Sequence, residues 1–480
     1  MNLLQRTVGK MFGYDATETR NRRRSISSKT TTEDKQANDR KRAILSSNSR
    51  DLARNFAIAA WAIRKHLDFV TRFTFQAKTG DKGFDREFEQ IIREQTTRHR
   101  FETARRHTYR RALRIAEACR VKDGDVFWMK LAPPSSNARG KVQAIEGDRI
   151  CTPSDLPKNT KPEDWVNGVR VSASGASLAY ALCDRGNFGR PQLKRIVSAR
   201  NMFSHGFYDR YDQVRGVSPI AAGLNWFRDT YEGFEYALAK VKISQLFGLA
   251  FYRDSDTFVF GQGTPTPTVD TDSDDVADAG YEVDMTKGPF TLDLDPGDRA
   301  EFLENKTPAS ETVDFLKMMI HVALKSLDIP YSFFDESFTN FYGSRGGLIQ
   351  YLKSCENKIE DLQEFQDEWT RWRTGLLVED KLLQLPAGKD FSFLRWEWVP
   401  DGVPWWDPVK EVRGNAMAVA AGFSSPQRVC REVGTDFEEN IRQTAEAMAI
   451  ANEAGVPLTF ADSTAFRPAI QANGDPVNAQ

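Results

Sequence analysis

The sequence predicts an α+β fold in which long helices carry small β-rich modules, and three observations predict it. The first is a pair of apolar seams of helical period between Val313 and Leu376, with a broken loop between them. The second is a series of short β-type runs between Gly124 and Phe207, separated by Gly, Pro, Ser and Asn. The third is that two helical seams, 220–241 and 313–327, bracket an acidic stretch that has strand candidates of its own.

Val313, Leu316, Ile320, Ala323 and Leu327 recur at steps of three and four, which puts them on one helical face and leaves Asp314, Lys317, His321 and Lys325 off it. Thr307 and Pro308 suit the start of that helix. Asp328, Ile329 and Pro330 end it, because proline drives the preceding residue out of helical space. The loop reads Tyr331, Ser332, Phe333, Phe334, Asp335, Glu336 and closes on Tyr342-Gly343-Ser344-Arg345-Gly346-Gly347. A second seam runs through Leu348, Leu352, Cys355, Ile359, Leu362, Phe365, Trp369, Trp372 and Leu376. Thirty residues of helix make a rod of about 45 Å that needs neighbours along its length. Periodicity alone favours a helical hairpin inside an ordinary globular core; packing against other copies is the alternative.

The 480 residues, 40% apolar and 28% charged, allow two to four soluble domains. No run of eighteen apolar residues occurs, and the N-terminus lacks the pattern of a secretory signal. Five scattered cysteines without a Cys-x-x-Cys fit a reducing cytoplasm. The net charge of −1 conceals a basic front and an acidic middle: residues 1–120 hold 28 Lys and Arg against 14 Asp and Glu, while 254–304 hold 14 acids and two bases. Such segregation points to contact between domains or between copies.

Residues 1–45, rich in Arg, Lys, Ser and Thr, are expected to be disordered or draped on a neighbour. From Ser49 a helical face runs through Leu52, Phe56, Ala59, Ile63 and Leu67. A second helical region, 88–121, crowds Arg105, Arg106, Arg110, Arg111 and Arg114, where a phosphate, an acidic neighbour or plain solvent are the possible partners. Strand-like runs follow at 125–129, 142–145, 169–171 and 178–182. Ser218-Pro219 opens a helix through Ile220, Leu224, Phe227, Tyr231, Phe234, Leu238 and Val241, interrupted by Gly223, Gly233 and Gly248. Within the acidic stretch, 281–283 and 290–292 are strand candidates. Residues 391–399 read as a strand, and 409–454 as helices broken near Gly422 and Gly434.

No catalytic constellation emerges. A phosphate-binding loop, a Gly-x-Ser-x-Gly elbow and zinc-type histidine spacing are all missing. Asp270, Asp272 and Asp274 imitate the start of a calcium loop, but Asp275 stands where its glycine belongs and Tyr281 where its glutamate belongs. A nuclease built on this acidic cluster, with metal-dependent cleavage abolished by changing Asp272 and Asp274, is the rival from the enzyme class. A helical adaptor that forms no ring is another.

Several stretches resemble the lambda-type family of phage portal proteins. The most specific is His205-Gly206-Phe207-Tyr208-Asp209-Arg210-Tyr211-Asp212-Gln213-Val214-Arg215-Gly216-Val217-Ser218. Arg50-x-Leu52-x-Arg54-Asn55, Leu294-x-Pro296-Gly297-Asp298, Ile329-Pro330 with Asn340-x-Tyr342-x-Ser344-Arg345, Trp406-Asp407-Pro408-x-Lys410-Glu411, and Gly434-x-Asp436-x-Glu438-Glu439 follow in the family's order. The acidic insertion and the glycines at 343, 346 and 347 depart from the pattern, and 1–45 and 458–480 match nothing.

The resemblance implies a portal fold: a basic arm (1–45), a wing (46–217), stem helices (218–250 and 309–328) around a clip (251–308), a tunnel loop (329–347), a long tunnel helix with a wing return (348–404), a crown (405–457) and a tail (458–480). It implies twelve copies in a ring at one capsid vertex of the virion, assembled in the host cytoplasm, with double-stranded DNA passing through. The expected partners are the packaging terminase large subunit, the major capsid protein and scaffold, and a tail or head-tail adaptor protein. No membrane and no cofactor is expected. Phe333, Phe334, Asp335, Glu336, Asn340, Tyr342 and Arg345 are the tunnel-loop candidates, Lys317, His321 and Lys325 the channel candidates, and Asp270, Asp272, Asp274 and Asp275 the docking candidates on the clip.

Overall fold

Helix α1 (Glu33–Gln36) and helix α2 (Asp39–Asn55) begin well ahead of the start expected at Ser49. The computed structural model describes residues 14–17, 30–134, 136–153, 164–185, 191–246, 249–253, 298–302, 310–335, 341–402 and 407–456. The expectation of an unfolded arm through residue 45 is therefore corrected for residues 30–45. Composition counts charges as solvated, whereas Asp34 and Arg42 here are tied to buried partners.

The chain divides into two compact units, one of residues 1–229 and 319–480 and the other of residues 230–318. In the larger unit, helix α3 (Ala57–Val70), strand β1 (Phe73–Ala77), helices α4 (Lys82–Gln95), α5 (Arg98–Phe101) and α6 (Tyr109–Asp123) lead into strand β2 (Asp125–Leu131). Thr108 and Asp81 cap α6 and α4 by accepting backbone N–H bonds in the first turn. Strands β3 (Lys141–Glu146), β4 (Trp165–Val166), β5 (Val169–Val171), β6 (Ser177–Arg185), β7 (Pro191–Ser198) and β8 (Met202–Gly206) complete two antiparallel sheets, ordered β3-β2-β8 and β4-β5-β6-β7. Strand β2 alternates: Phe127 and Met129 face Tyr180, Leu182 and Val197 of the second sheet, while Val126 and Trp128 join the helical core. Strands β7 and β8 carry weak sequence signals, since β7 is mostly solvent-facing and polar.

Residues 219–222 form a short 3-10 turn before helix α7 (Leu224–Leu246), so the helix expected from Ser218-Pro219 starts later. Gly223 explains the break, because a Cβ there would stand 2.6 Å from Ser326 Oγ. In the smaller unit, strands β9 (Leu249–Arg253) and β10 (Asp298–Phe302) pair antiparallel, and helix α8 (Ser310–Leu324) follows. The strand candidates at 281–283 and 290–292 lie outside the described residues, as do Thr307 and Pro308. Leu316, Ile320, Ala323 and Leu327 are buried, Val313 is half-buried, and Asp314, His321 and Lys325 are exposed, as the periodicity requires. Asp328 ends this segment in the left-handed region (φ 60°).

The longest element is helix α9 (Phe341–Glu379), 39 residues and about 58 Å. It starts seven residues before the expected Leu348. Tyr342 and Arg345 thus belong to a helix rather than to a loop. The glycines do not break it because Gly347 is a contact: a Cβ there would meet Ser332 Oγ at 3.1 Å and Pro330 Cβ at 3.4 Å. Gly346 meets nothing within 4 Å. We expect Gly347→Val to cost about 1–3 kcal/mol through overpacking, whereas Gly346→Ala stabilises by about 0.5–1 kcal/mol. Urea unfolding of the two variants reads the difference, and equal effects would contradict the packing role.

Tyr351, Cys355, Leu362, Phe365 and Trp369 of α9 are buried in one core with residues of α2, α3, α6 and β8, and Leu348 is buried as well. Beyond α9, strand β11 (Trp396–Pro400) pairs with β1, and 391–393 is a 3-10 turn rather than part of a strand. Helices α10 (Pro408–Ala420), α11 (Pro426–Glu432) and α12 (Phe437–Glu453) follow the expected breaks near Gly422 and Gly434. Asp407, Ser425 and Asp436 cap them, with Pro408 and Pro426 in the first turns.

Candidate functional site

The stretch from His205 to Ser218 enters a dense buried polar network. Arg215 is 1% exposed and grips Asp125 through Nε and Nη2 at 2.7 and 2.8 Å. It also donates to the carbonyls of Ile150 (2.5 Å), Asn167 (2.7 Å) and Gly147 (2.8 Å). Arg42 adds a third cationic contact to Asp125 at 3.0 Å and donates to Gly216 O at 2.5 Å. Burial pushes the Asp125 carboxyl up, but the Arg215 and Arg42 charges hold it below its ordinary value. Asp34 accepts from Val214 N at 2.9 Å, and Ser218 Oγ donates to Val121 O at 2.6 Å. Gly216 lies so close to Gly124 O that no side chain fits. Arg215, Gly216, Val214 and Ser218 thus tie the stretch onto neighbouring elements, which is a fastening and not a reaction centre.

A second network begins at the other end of the same stretch. Glu117 is fully buried and accepts from His66 Nε2 at 2.7 Å, from His205 Nε2 at 2.9 Å and from Arg120 at 2.7 and 2.9 Å. Arg120 reaches on to Asp361 of α9 at 2.9 Å. Burial raises the Glu117 pKa, yet the Arg120 charge and the bonds from both histidines hold it well below the carboxylate range. Burial lowers both imidazoles, against the pull of Glu117. The sequence singled out His205 and Arg215 by motif only; Glu117, Asp125 and Arg42 were missed, because apart from the neighbouring Arg120 their side-chain partners lie at least 51 residues away.

The tunnel-loop candidates are placed differently from the expectation. Residues 331–333 form a 3-10 turn, with Phe333 stacked on Phe69 at 5.8 Å and edge-on to Tyr351 at 5.4 Å. Phe334 meets Trp61 edge-on at 6.0 Å and Tyr331 at 5.7 Å. Both rings therefore anchor the turn to the chain's own helices α3 and α9. Asp335 is half-buried, Tyr342 is 81% exposed, and Arg345 pairs with Glu411 at 3.2 Å. His321 packs against Tyr331 at 5.5 Å, Lys325 is exposed and Lys317 is half-buried. Glu336, Asn340, Asp270, Asp272, Asp274 and Asp275 lie outside the described residues.

The most unusual surface belongs to α10, α11 and α12. Of these three helices only Ala451 is buried, while Val409 (78%), Met417, Ile441 and Ile450 are exposed, as is Phe423 (84%) in the turn between α10 and α11. Such helices are not stable alone, since most helical stability comes from packing an apolar face. Among the described residues no three His, Cys, Asp or Glu side chains gather as ion ligands would, and no helix is long and apolar enough to cross a membrane.

Fold and geometry together define a structural subunit, pinned internally by buried ion pairs and carrying exposed apolar side chains on its C-terminal helices. The chain belongs to the lambda family of phage portal proteins, whose family model matches residues 19–357. It is 22% identical over 451 residues to portal protein B of Escherichia phage lambda, covering 83% of each chain. It is 20% identical over 473 residues to the portal protein of Escherichia phage N15, covering 88% of this chain and 87% of that one. A chain from the neck of an empty GTA particle, computed with C6 symmetry, aligns with a TM-score of 0.49 at 12% identity, over 81% of this chain and 94% of that one. As a portal protein the chain is a structural, non-enzymatic component of the virion at the capsid vertex.

Proposed function

We propose that twelve copies close into a ring whose hole is the channel for double-stranded DNA during packaging and ejection. The observation that carries this is the crown: three helices with a single buried residue require partners, and an identical neighbour supplies the same faces around an axis. Tyr236, Leu238, Phe315 and Met318 on α7 and α8 add exposed apolar area of the same kind. On this reading the stem residues Lys317, His321 and Lys325 and the 331–345 segment border the channel. Phe333 and Phe334 hold that segment in place and Tyr342 is its exposed side chain. The acidic residues Asp270, Asp272, Asp274 and Asp275 form the docking surface. The packaging terminase docks there first, and the tail or head-tail adaptor later. The major capsid protein and scaffold surround the ring. Since the sequence has no nucleotide-binding loop, the energy for packaging comes from the terminase.

Native mass measurement tests the ring. Purified chain is expected as a particle near twelve times 54.4 kDa. The double variant Phe423→Asp with Ile441→Asp should lower the assembled fraction at least tenfold without changing helix content, because charge is placed on faces that only another copy covers. A folded wild-type monomer at working concentration would refute the proposal.

A further inference from the structure

Away from the two buried networks, four basic side chains gather that form no ion pair among the described residues. Thr103 N donates to Val142 O at 3.1 Å, and Glu102 bridges to Val142, so the turn after α5 lies beside the start of β3. On the other side, the Arg373 guanidinium of α9 fills the space a side chain at Gly140 would need and donates from Nη2 to Gln95 Oε1 at 2.5 Å. Lys141 and Arg373 therefore meet at the 140–141 backbone, with Arg100 acting electrostatically on both and Arg105 on Lys141. Lys141 is 9% and Arg373 5% exposed, and Arg373 Nε is buried without a hydrogen-bond partner.

The carboxylates nearby are already engaged. Glu379 and Asp380 are bound by Arg139, each at 2.9 Å, and Glu102 accepts from the N–H groups of Arg106 and His107 at 3.1 and 3.0 Å. None of these four cations has an ion-pair partner among the described residues. Burial together with Arg105 and Arg100 lowers the Lys141 pKa; burial brings Arg373 down to about 10 against the opposing pull of Asp380, with Arg100 and Arg139 adding to the fall. Buried cations with too little counter-charge are costly, and an oxyanion recovers that cost.

We infer that this pocket between α5, the start of β3 and the C-terminal part of α9 is a binding site for a phosphate group. A phosphate brings nearly two charges and three strong acceptor oxygens to several guanidinium forks, whereas a single carboxylate would leave most of the positive charge uncompensated. Arg98, Arg106 and Arg111, all exposed on the same stretch, extend the basic surface outward from the pocket. The source is either a nucleic-acid backbone or free phosphate. The site is complete within one chain and does not depend on ring formation.

The test uses the full chain, as purified, in sodium phosphate and in sodium chloride of equal ionic strength. Phosphate is expected to raise the unfolding midpoint by about 2–4 °C over chloride. The double variant Arg100→Gln with Arg105→Gln, both exposed and bonded in the described residues through backbone N–H alone, should lose at least half of that shift. The variant also separates the site from the general stabilising action of phosphate salts. Labelled phosphate retained by the wild type and displaced by a short DNA duplex identifies a backbone phosphate, and label that DNA leaves in place identifies the free ion; either supports the site. No shift over chloride, an undiminished shift in the variant, or stabilisation by poly-glutamate but not by phosphate overturns it.

Discussion

Arg215→Met is expected to abolish folding of the larger unit, or to lower its stability by about 3–5 kcal/mol. The variant keeps the apolar stem but strips Asp125 of its bidentate partner and leaves the carbonyls of Ile150, Asn167 and Gly147 without a donor in a dry interior. Arg42 remains on one oxygen of Asp125, which is too little to neutralise a carboxylate that is completely buried. Arg215→Lys should rescue poorly, since an ammonium cannot span Asp125 and three carbonyls placed for a planar fork. Soluble yield and urea unfolding read the effect. A lysine variant as stable as wild type would show that charge, and not the fork, holds these elements together.

Glu117→Ala is expected to cost a similar amount, about 3–5 kcal/mol, by leaving Arg120 buried with Asp361 as its one remaining carboxylate and removing the acceptor shared by His66 and His205. In the wild type the same cluster makes folding pH-dependent. Both imidazoles have folded pKa values below the ordinary one, facing Glu117, Arg120, Lys358 and Asp361. The unfolded chain therefore takes up protons near pH 6.5 that the folded chain refuses. Stability is full above that value and falls as the pH drops through it, by up to about 1.4 kcal/mol per pH unit for each histidine. Glu117, held well below its ordinary value, adds a further loss of the same sign once the pH falls below the carboxylate range. A urea midpoint that stays constant from pH 7 to pH 5 would contradict this account.

Much of the architecture was legible because it is local. The α8 seam, the stop at Asp328, the crown breaks at Gly422 and Gly434 and the four strand runs in the first β-module all follow from spacing or turn chemistry within a few residues. The misreadings share a different cause. Gly346 and Gly347 signalled a break, but a helix already packed along its length tolerates them, and Gly347 gives Ser332 and Pro330 room to approach. Asp34 and Arg42 looked like parts of a solvated arm because their partners, Val214, Asp125 and Gly216, lie at least 83 residues away. The anchoring of Phe333 and Phe334 was equally invisible, because Phe69, Tyr351 and Trp61 are distant in sequence.

By itself the sequence determined which segments are helical or extended, the separation of basic and acidic blocks, and the ordered motifs that mark the family. Each is written in residue types and in spacings of two to four. Only the tertiary structure decided what the motif residues do, which charges are buried and which rings are anchored. Those outcomes depend on long-range pairing in a low-dielectric interior, where one charge is tolerable only if a particular distant residue meets it.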